Sequence, residues 1–360
     1  MASNPTLSDA RLLFEASARL LDQTVERAGV VTEGGKRIDD HQVLAERVAY
    51  AVTEGRAAQA ALDFAATLAE EGRSSASLES TFAASVADLV DSLRVRLAPA
   101  VDDLGIGEEA LESAFPAELR ALLRRVGHES VYRSIGLQVV DSRGRNDLPL
   151  DEMSEQIRDS VREFAEAEVA PQAEHIHRTD ALVPEALIDK MSELGYFGMG
   201  IPEQYGGSEM GNLAMILTTE ELSRVSLAGA GSLITRPEIL TKALLGGGTD
   251  AQKKHWLPRI ASGEIMVGIA VTEPDVGSDV AAVKCKAEPR SVDGQRGWVI
   301  NGPKSWCTFA GRANVLALLA RTDPDTSKGA RGLSLFIVPK DAFMGHDFEM
   351  TQPGGGRMVG

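Results

Sequence analysis

Cysteine is nearly absent: the 360 residues hold two, Cys285 and Cys307. Two thiols in so long a chain do not make a disulfide framework, and a reducing cytoplasm is the simple inference. Histidine is scarce as well. The six are scattered, none pairs with Cys or Glu at metal-ligand spacing, and no metal is expected. Positive charge is in deficit, with 37 basic against 53 acidic residues and a formal net charge of -16. That balance argues against nucleic acid or an anionic membrane surface as the main partner. No apolar run approaches the ~20 residues of a membrane span. The N-terminus "MASNPTLSDARLLFEASARL" has acidic residues and no continuous apolar core, so it does not read as a signal peptide. Neither G-x-x-x-x-G-K-[ST] nor G-x-S-x-G occurs, which removes support for P-loop and hydrolase chemistry.

What is present is an ordinary globular composition, 43% apolar, long enough for two or three domains. Residues 1–140 read as helices. "LSDARLLFEASARLLDQTVERAGV" places Leu12, Leu13, Ala16, Leu20 and Val25 near one face, with Ser8 as a possible N-cap. The region shows no fixed repeat and no site chemistry, so a helical packing or oligomerisation module is expected. "DSRGRNDLPLDE" reads as a linker near 141–151. A second helical block fills 151–263. From 264 to 360 the texture changes to short β-rich runs broken by Gly, Pro and Asp, which predicts a meander of strands. Helices followed by a compact β domain, without strand–helix alternation, make the class α+β.

"GGGTDA", Gly246 to Ala251, fits the dinucleotide pattern G-x-G-x-x-G/A. It follows a helical stretch rather than a strand, so the pattern lacks its context. A helix end followed by a helix N-capped at Thr249 explains the same letters. The chemistry sits elsewhere. "GIAVTEPDVGSDVAAVKC" runs from a strand into a turn of Pro274, Asp275 and Gly277, then Ser278 and Asp279. Such a turn presents N–H groups and a hydroxyl to a phosphate or the carbonyl edge of a heteroaromatic ring. Further on, "INGPKSWCTFAGRANVLALLART" carries Trp306, Cys307 and Thr308. In a strand of period 2, Trp306 and Thr308 share a face and Cys307 points away. Cys307 has no nearby His to make it a nucleophile, and a small packed apolar side chain is the expected role.

The helical block, "VTEPDVGSD" and "INGPKSWCTFAGRANVLALLART", in that order, resemble the acyl-CoA dehydrogenases over Asp151 to about Lys340. The resemblance implies a flavoprotein with an N-terminal helical domain, a middle β domain and a C-terminal four-helix domain. It implies FAD as cofactor and α,β-desaturation of an acyl-CoA thioester. A carboxylate takes the α proton while the β hydrogen leaves to flavin N5. By the same similarity, Ile269, Val271 and Thr272 line the ring edge. Gly277 and Ser278 lie near the pyrophosphate, with Ser278 also near the acyl chain. Trp306 stacks by the ring and Thr308 hydrogen-bonds N5. An electron-transferring flavoprotein and a homo-oligomer, dimer or tetramer, are the implied partners.

Two departures qualify the likeness. The family's base is a Glu on the C-terminal helical domain, which has no counterpart downstream of the β domain here. That domain is expected to be absent from this chain, the base to lie beyond Gly360, and this chain alone to be inactive. Glu273 and Asp279 read as turn carboxylates, not as the base. The second departure is the helical extension. With the tail "TQPGGGRMVG" it resembles an extended branch of the family that oxidises (2S)-methylsuccinyl-CoA to mesaconyl-CoA in the ethylmalonyl-CoA pathway. Arg236 in "GAGSLITRPEIL" falls in the region that lines the acyl pocket in this family, where it suits the free carboxylate of a dicarboxylic acyl group. A surface or interdomain ion pair is the alternative role for Arg236. A dehydrogenase of other short or branched acyl specificity, a flavin oxidase, and a non-catalytic module of the same fold are the rival readings.

Overall fold

The computed structural model describes residues 5–143, 149–179, 181–292 and 294–342. The chain divides into two compact units after Pro149, within the polar stretch expected to be a linker. Among the described residues no helix is long and apolar enough to cross a membrane.

The first unit is built on three long helices, α1 (Leu7–Val31), α2 (Gln42–Glu70) and α3 (Ala76–Leu97). On α2 the buried positions are Leu44, Val48, Ala51, Gly55, Ala58, Leu62, Ala65 and Leu68. Their alternating steps of four and three residues average close to 3.5, the period that keeps one seam against neighbouring helices. Small residues dominate that seam, which lets backbones approach closely. The N-cap of α1 is Thr6, which forms a capping box with Asp9; the expected cap was Ser8. The buried stripe of α1 is correspondingly Ala10, Leu13, Ser17, Leu20, Leu21 and Thr24, whereas Leu12 and Val25 are exposed. Four shorter helices complete the unit: α4 (Val101–Leu104), α5 (Glu108–Ala114), α6 (Ala117–Val126) and α7 (Glu129–Asp141). Phe115, 1% exposed, fills the core they close.

The second unit begins with α8 (Glu152–Phe164), N-capped by Asp151. It continues through a π turn (Ala165–Val169) into α9 (Ala170–Thr179). Then come α10 (Glu185–Glu193), α11 (Gly211–Ser226), α12 (Ser232–Gly247) and α13 (Asp250–Ala261). Glu221 of α11, 3% exposed, accepts hydrogen bonds from Arg162 Nε and Nη2 at 3.0 and 2.6 Å and from Arg224 Nε at 3.1 Å. That bidentate pair ties α8 to α11. The "GGGTDA" letters are the end of α12 and a capping box between Thr249 and Gln252, as the helical context implied.

Among the described residues five strands follow: β1 (Val267–Ala270), β2 (Lys286–Val292), β3 (Gln295–Asn301), β4 (Val315–Arg321) and β5 (Leu333–Pro339). The fold is α+β, but the sheet is not a meander. β4 pairs antiparallel with β5 along one edge, from Val315↔Pro339 to Arg321↔Leu333. On its other edge β4 runs parallel to β1, Val267↔Val315 to Ala270↔Leu318, and parallel to β2 at Lys286↔Arg321. β1 and β2 therefore lie along the same edge of β4. Residues 271–285 leave the sheet between them and return. The helices and sheet share a core in which α12 and α13 supply Leu240, Leu244, Leu257 and Ile260, and β1 and β4 supply Val267 and Val315.

Phe115→Ala is expected to cost about 3–5 kcal/mol, the range for truncating a fully buried aromatic. Urea denaturation followed by circular dichroism measures it, and a loss under 1 kcal/mol would contradict the core assignment.

Candidate functional site

Glu273 organises the excursion. Its backbone pairs with Val276 in a tight antiparallel bridge, N to O at 3.0 Å and the reverse at 3.1 Å. The bridge leaves Pro274 and Asp275 exposed at the tip and points Gly277 and Ser278 outward. The carboxylate, 4% exposed, accepts the amides of Lys284 and Cys285, each at 2.8 Å, and Lys304 Nζ at 2.9 Å. Lys304 Nζ also donates to the carbonyl of Val271 at 2.9 Å. The Ser305 amide donates to the carbonyl of Thr272 at 2.8 Å. Residues 271–273 and 304–305 are thus locked side by side.

Burial raises the Glu273 carboxyl pKa, but Lys304 and the two backbone amides outweigh it and hold the group below the ordinary glutamate value. A carboxylate with three donors and a depressed pKa is a structural anion, in line with the turn role expected for it. It is not a base.

The approach to the second segment requires a glycine. Gly302 sits at φ 147°, and a Cβ there would lie 2.7 Å from Cys285 Cα. Past Lys304 the chain is not a strand. β3 ends at Asn301, and Trp306 and Phe309 both adopt positive φ, 58° and 66°. The Thr308 amide donates to the carbonyl of Trp306 at 2.8 Å, and that of Ala310 to Cys307 at 3.0 Å. The period-2 placement of Trp306 and Thr308 on one face, with Cys307 opposite, is therefore overturned. A left-handed turn orients these residues, because the chain must fold back to start β4.

Magnitudes separate the two strained residues. A non-glycine residue in the left-handed region costs roughly 1–2 kcal/mol. Phe309 is 5% exposed in the helical core with Met191, Phe197 and Leu222, and its burial contributes about 1.5–3 kcal/mol. Its strain is offset. Trp306 is 89% exposed and gains no such burial among the described residues. The hydroxyls of Thr272, Ser278 and Thr308 make no hydrogen bond among the described residues. Trp306 thus combines backbone strain with an uncovered indole, and these three hydroxyls are left to solvent or a ligand.

The remaining candidates fall as follows. The Ile269 side chain packs partly buried with the α12–α13 core, so its side chain belongs to that core. Val271 contributes its carbonyl to Lys304. Cys307 and Cys285 are free thiols whose pKa values burial pushes up, and Cys307 packs partly buried in the sheet core, as its neutral role required. Arg236, on α12 beside the π turn Leu227–Gly231, is half-buried. It donates to Thr235 Oγ1 at 3.0 Å and forms no ion pair among the described residues. The geometry ties Thr272 to Ser305, but Arg236 makes no hydrogen bond or ion pair with either segment among the described residues. No group of His, Cys, Asp or Glu that could hold a metal is found among the described residues. Sequence reasoning missed the Lys304–Glu273 pair, Gly302 and the Phe309 anchor. Both charges stand in the two quoted motifs, yet nothing in the order of letters shows that they meet.

Three models of one family match the chain. The acyl-CoA dehydrogenase N-terminal domain matches residues 151–264, the middle domain 268–356, and the C-terminal domain 10–93. The chain belongs to the acyl-CoA dehydrogenase family. Over 348 residues it is 35% identical to the (2S)-methylsuccinyl-CoA dehydrogenase of Cereibacter sphaeroides, covering 94% of this chain and 61% of that protein. It is 39% identical over 195 residues to a mitochondrial 2-methylacyl-CoA dehydrogenase of Solanum tuberosum, covering 54% of this chain and 46% of that protein. It is 36% identical over 201 residues to a glutaryl-CoA dehydrogenase of Desulfococcus multivorans, covering 55% of this chain and 50% of that protein. The chain thus spans 61% or less of the length of each of these relatives. The C-terminal domain pattern lies ahead of the other two, at residues 10–93, in the helices expected to form a module without site chemistry.

Glu273→Gln is expected to cost about 3–5 kcal/mol at pH 7, because it leaves a buried ammonium without its counter-charge. The folded pKa is depressed, so Glu273 contributes stability above the ordinary value of 4.5 that is lost as pH falls through the folded value. The gap between wild type and variant should shrink toward pH 3. Urea midpoints across that range measure it, and a gap independent of pH would sink the assignment.

Proposed function

We propose that this chain binds FAD and is the cofactor- and acyl-binding part of an enzyme that desaturates an acyl-CoA thioester. The substrate is (2S)-methylsuccinyl-CoA, the product mesaconyl-CoA, and the electrons pass to an electron-transferring flavoprotein. The strained, exposed Trp306 beside the free hydroxyl of Thr308 carries this reading, and the identity that extends through both units supports the branch.

The residues present fit the group. Trp306 offers an uncovered indole face to a planar ring. Thr308 and Thr272 offer hydroxyls to ring heteroatoms. Gly277 and Ser278, exposed past the Glu273 bridge, offer amides and a hydroxyl to a pyrophosphate. Ile269 and Val271 line the ring edge through their backbone. When bound, FAD supplies the acceptor for the β hydrogen. The chain's own task is to hold the acyl group so that the α proton meets a base within hydrogen-bond reach. Glu273 is held by Lys304 and two backbone amides, so it is not proposed as that base. Ser278 lies along the acyl chain. Arg236, which lacks an ion-pair partner, takes the free carboxylate of the substrate. A homo-oligomer is the proposed assembly.

An absorption spectrum of the purified full-length protein tests the reading, with bleaching by methylsuccinyl-CoA and turnover with electron-transferring flavoprotein. A colourless protein that takes up no FAD refutes it and leaves a non-catalytic module. Thr308→Val should slow flavin reduction about 3- to 10-fold, the worth of one neutral hydrogen bond, while Cys307→Ala keeps flavin and activity. The reverse pattern contradicts the site. Arg236→Ala should raise KM for methylsuccinyl-CoA about 10- to 100-fold, the worth of a charge-assisted hydrogen bond, and leave an uncharged branched acyl-CoA unaffected. An equal effect on both removes Arg236 from the substrate site.

A further inference from the structure

The β4–β5 hairpin carries a buried cation at each end, and neither forms an ion pair among the described residues. Arg321, 6% exposed, ends β4. Its guanidinium donates to three carbonyls: Val283 from Nε at 3.0 Å, Ala281 from Nη2 at 2.5 Å and Gly329 from Nη1 at 3.4 Å. Lys340, 8% exposed, follows β5. Its ammonium also donates to three carbonyls: Ala313 and Asp341, each at 2.8 Å, and Gly311 at 3.3 Å. Burial pushes the Lys340 amine below the ordinary lysine value.

Opposite charge lies near both cations, Asp323 by Arg321 and Asp341 by Lys340, but forms no ion pair with them, and a cation removed from water is expensive unless other groups solvate it. Here backbone carbonyls do so, and their positions are informative. Ala281 and Val283 end the turn that begins at Gly277 and Ser278. Gly311 and Ala313 end the turn that begins at Trp306 and Thr308. The main chain reinforces each hold: the Arg321 amide donates to Cys285 at 2.7 Å and the Lys340 amide to Asn314 at 2.9 Å. The hairpin register sets the two cations at opposite ends of one rigid element, since Arg321 pairs with Leu333 and Val315 with Pro339. The hairpin is thus a bar between the two segments.

We propose that Arg321 and Lys340 are positioning residues for the flavin site, Arg321 fixing the Gly277–Val283 turn and Lys340 the Trp306–Ala313 turn. The proposal rests on the flavin reading above. Neither side chain is placed on the cofactor; each acts through the carbonyls it holds.

Hydrogen–deuterium exchange on the full chain, read by peptide, tests it together with FAD titration. Lys340→Met should speed exchange at the amides of Thr308, Ala310 and Ala313 about tenfold or more, and leave Val280, Ala282 and Val283 unchanged. Arg321→Met should do the opposite. Each variant should weaken FAD binding about tenfold, and Lys340→Arg, which keeps the donors, should restore most of it. Leu318→Ala, in the same hairpin, is the control for general destabilisation and should keep wild-type FAD affinity. Exchange spread evenly over the sheet overturns the proposal, as does wild-type FAD affinity in both methionine variants, or equal FAD loss in Leu318→Ala. If the wild type binds no FAD, the flavin reading fails by itself. The exchange pattern still decides whether these cations hold these turns.

Discussion

Lys304 and Glu273 meet where water is excluded, and the geometry of the candidate site follows from that contact. Neither charge would be tolerated there alone. The pair is sustained because the spare hydrogen-bonding capacity is used: Glu273 takes two further amides and Lys304 a further carbonyl. The satisfied pair draws the loop 271–285 onto the segment after Gly302, although the two are separated by the β2–β3 hairpin in sequence. A hydrophobic contact of the same size would hold them together without fixing their register. The charge pair, with Ser305 bonded to Thr272, allows one alignment.

The rest of the site is an answer to the constraint that this alignment imposes. Gly302 must pass against Cys285, so no side chain fits. The chain must then turn back within a few residues to enter β4, which it does through two left-handed positions. Phe309 offsets its own cost by packing into the helical core, and so links the Trp306–Ala313 turn to the helices of the same unit. Trp306 gains no such burial among the described residues. The strain at Trp306 coincides with an indole that is 89% exposed, which is where a cofactor would contribute binding energy.

The first unit changes the picture of the extension. Its long helices follow a buried pattern close to 3.5 residues, and residues 10–93 match the family's C-terminal domain. A helical pattern of that kind can be read from composition and spacing alone. Its kinship cannot, because small-residue seams recur in many bundles.

Much of this protein was legible in its letters. Helix caps such as Thr249, the break at 141–151, the change of texture at 264 and the neutral role of Cys307 all rest on local chemistry, which neighbouring residues decide. The two motifs were legible for the same reason. Their meeting was not. Whether Trp306 and Thr308 share a face depends on φ at Trp306, and that angle is set by Lys304, Gly302 and Phe309 acting on contacts from three other parts of the chain. The parallel pairing of β1 and β2 on one edge of β4 also lies beyond local pattern, because strand propensity carries no partner or direction. Composition and spacing determined the elements and the residue types for the chemistry. Tertiary structure alone decided their mutual orientation, because buried charge pairing and steric exclusion act between residues far apart in sequence.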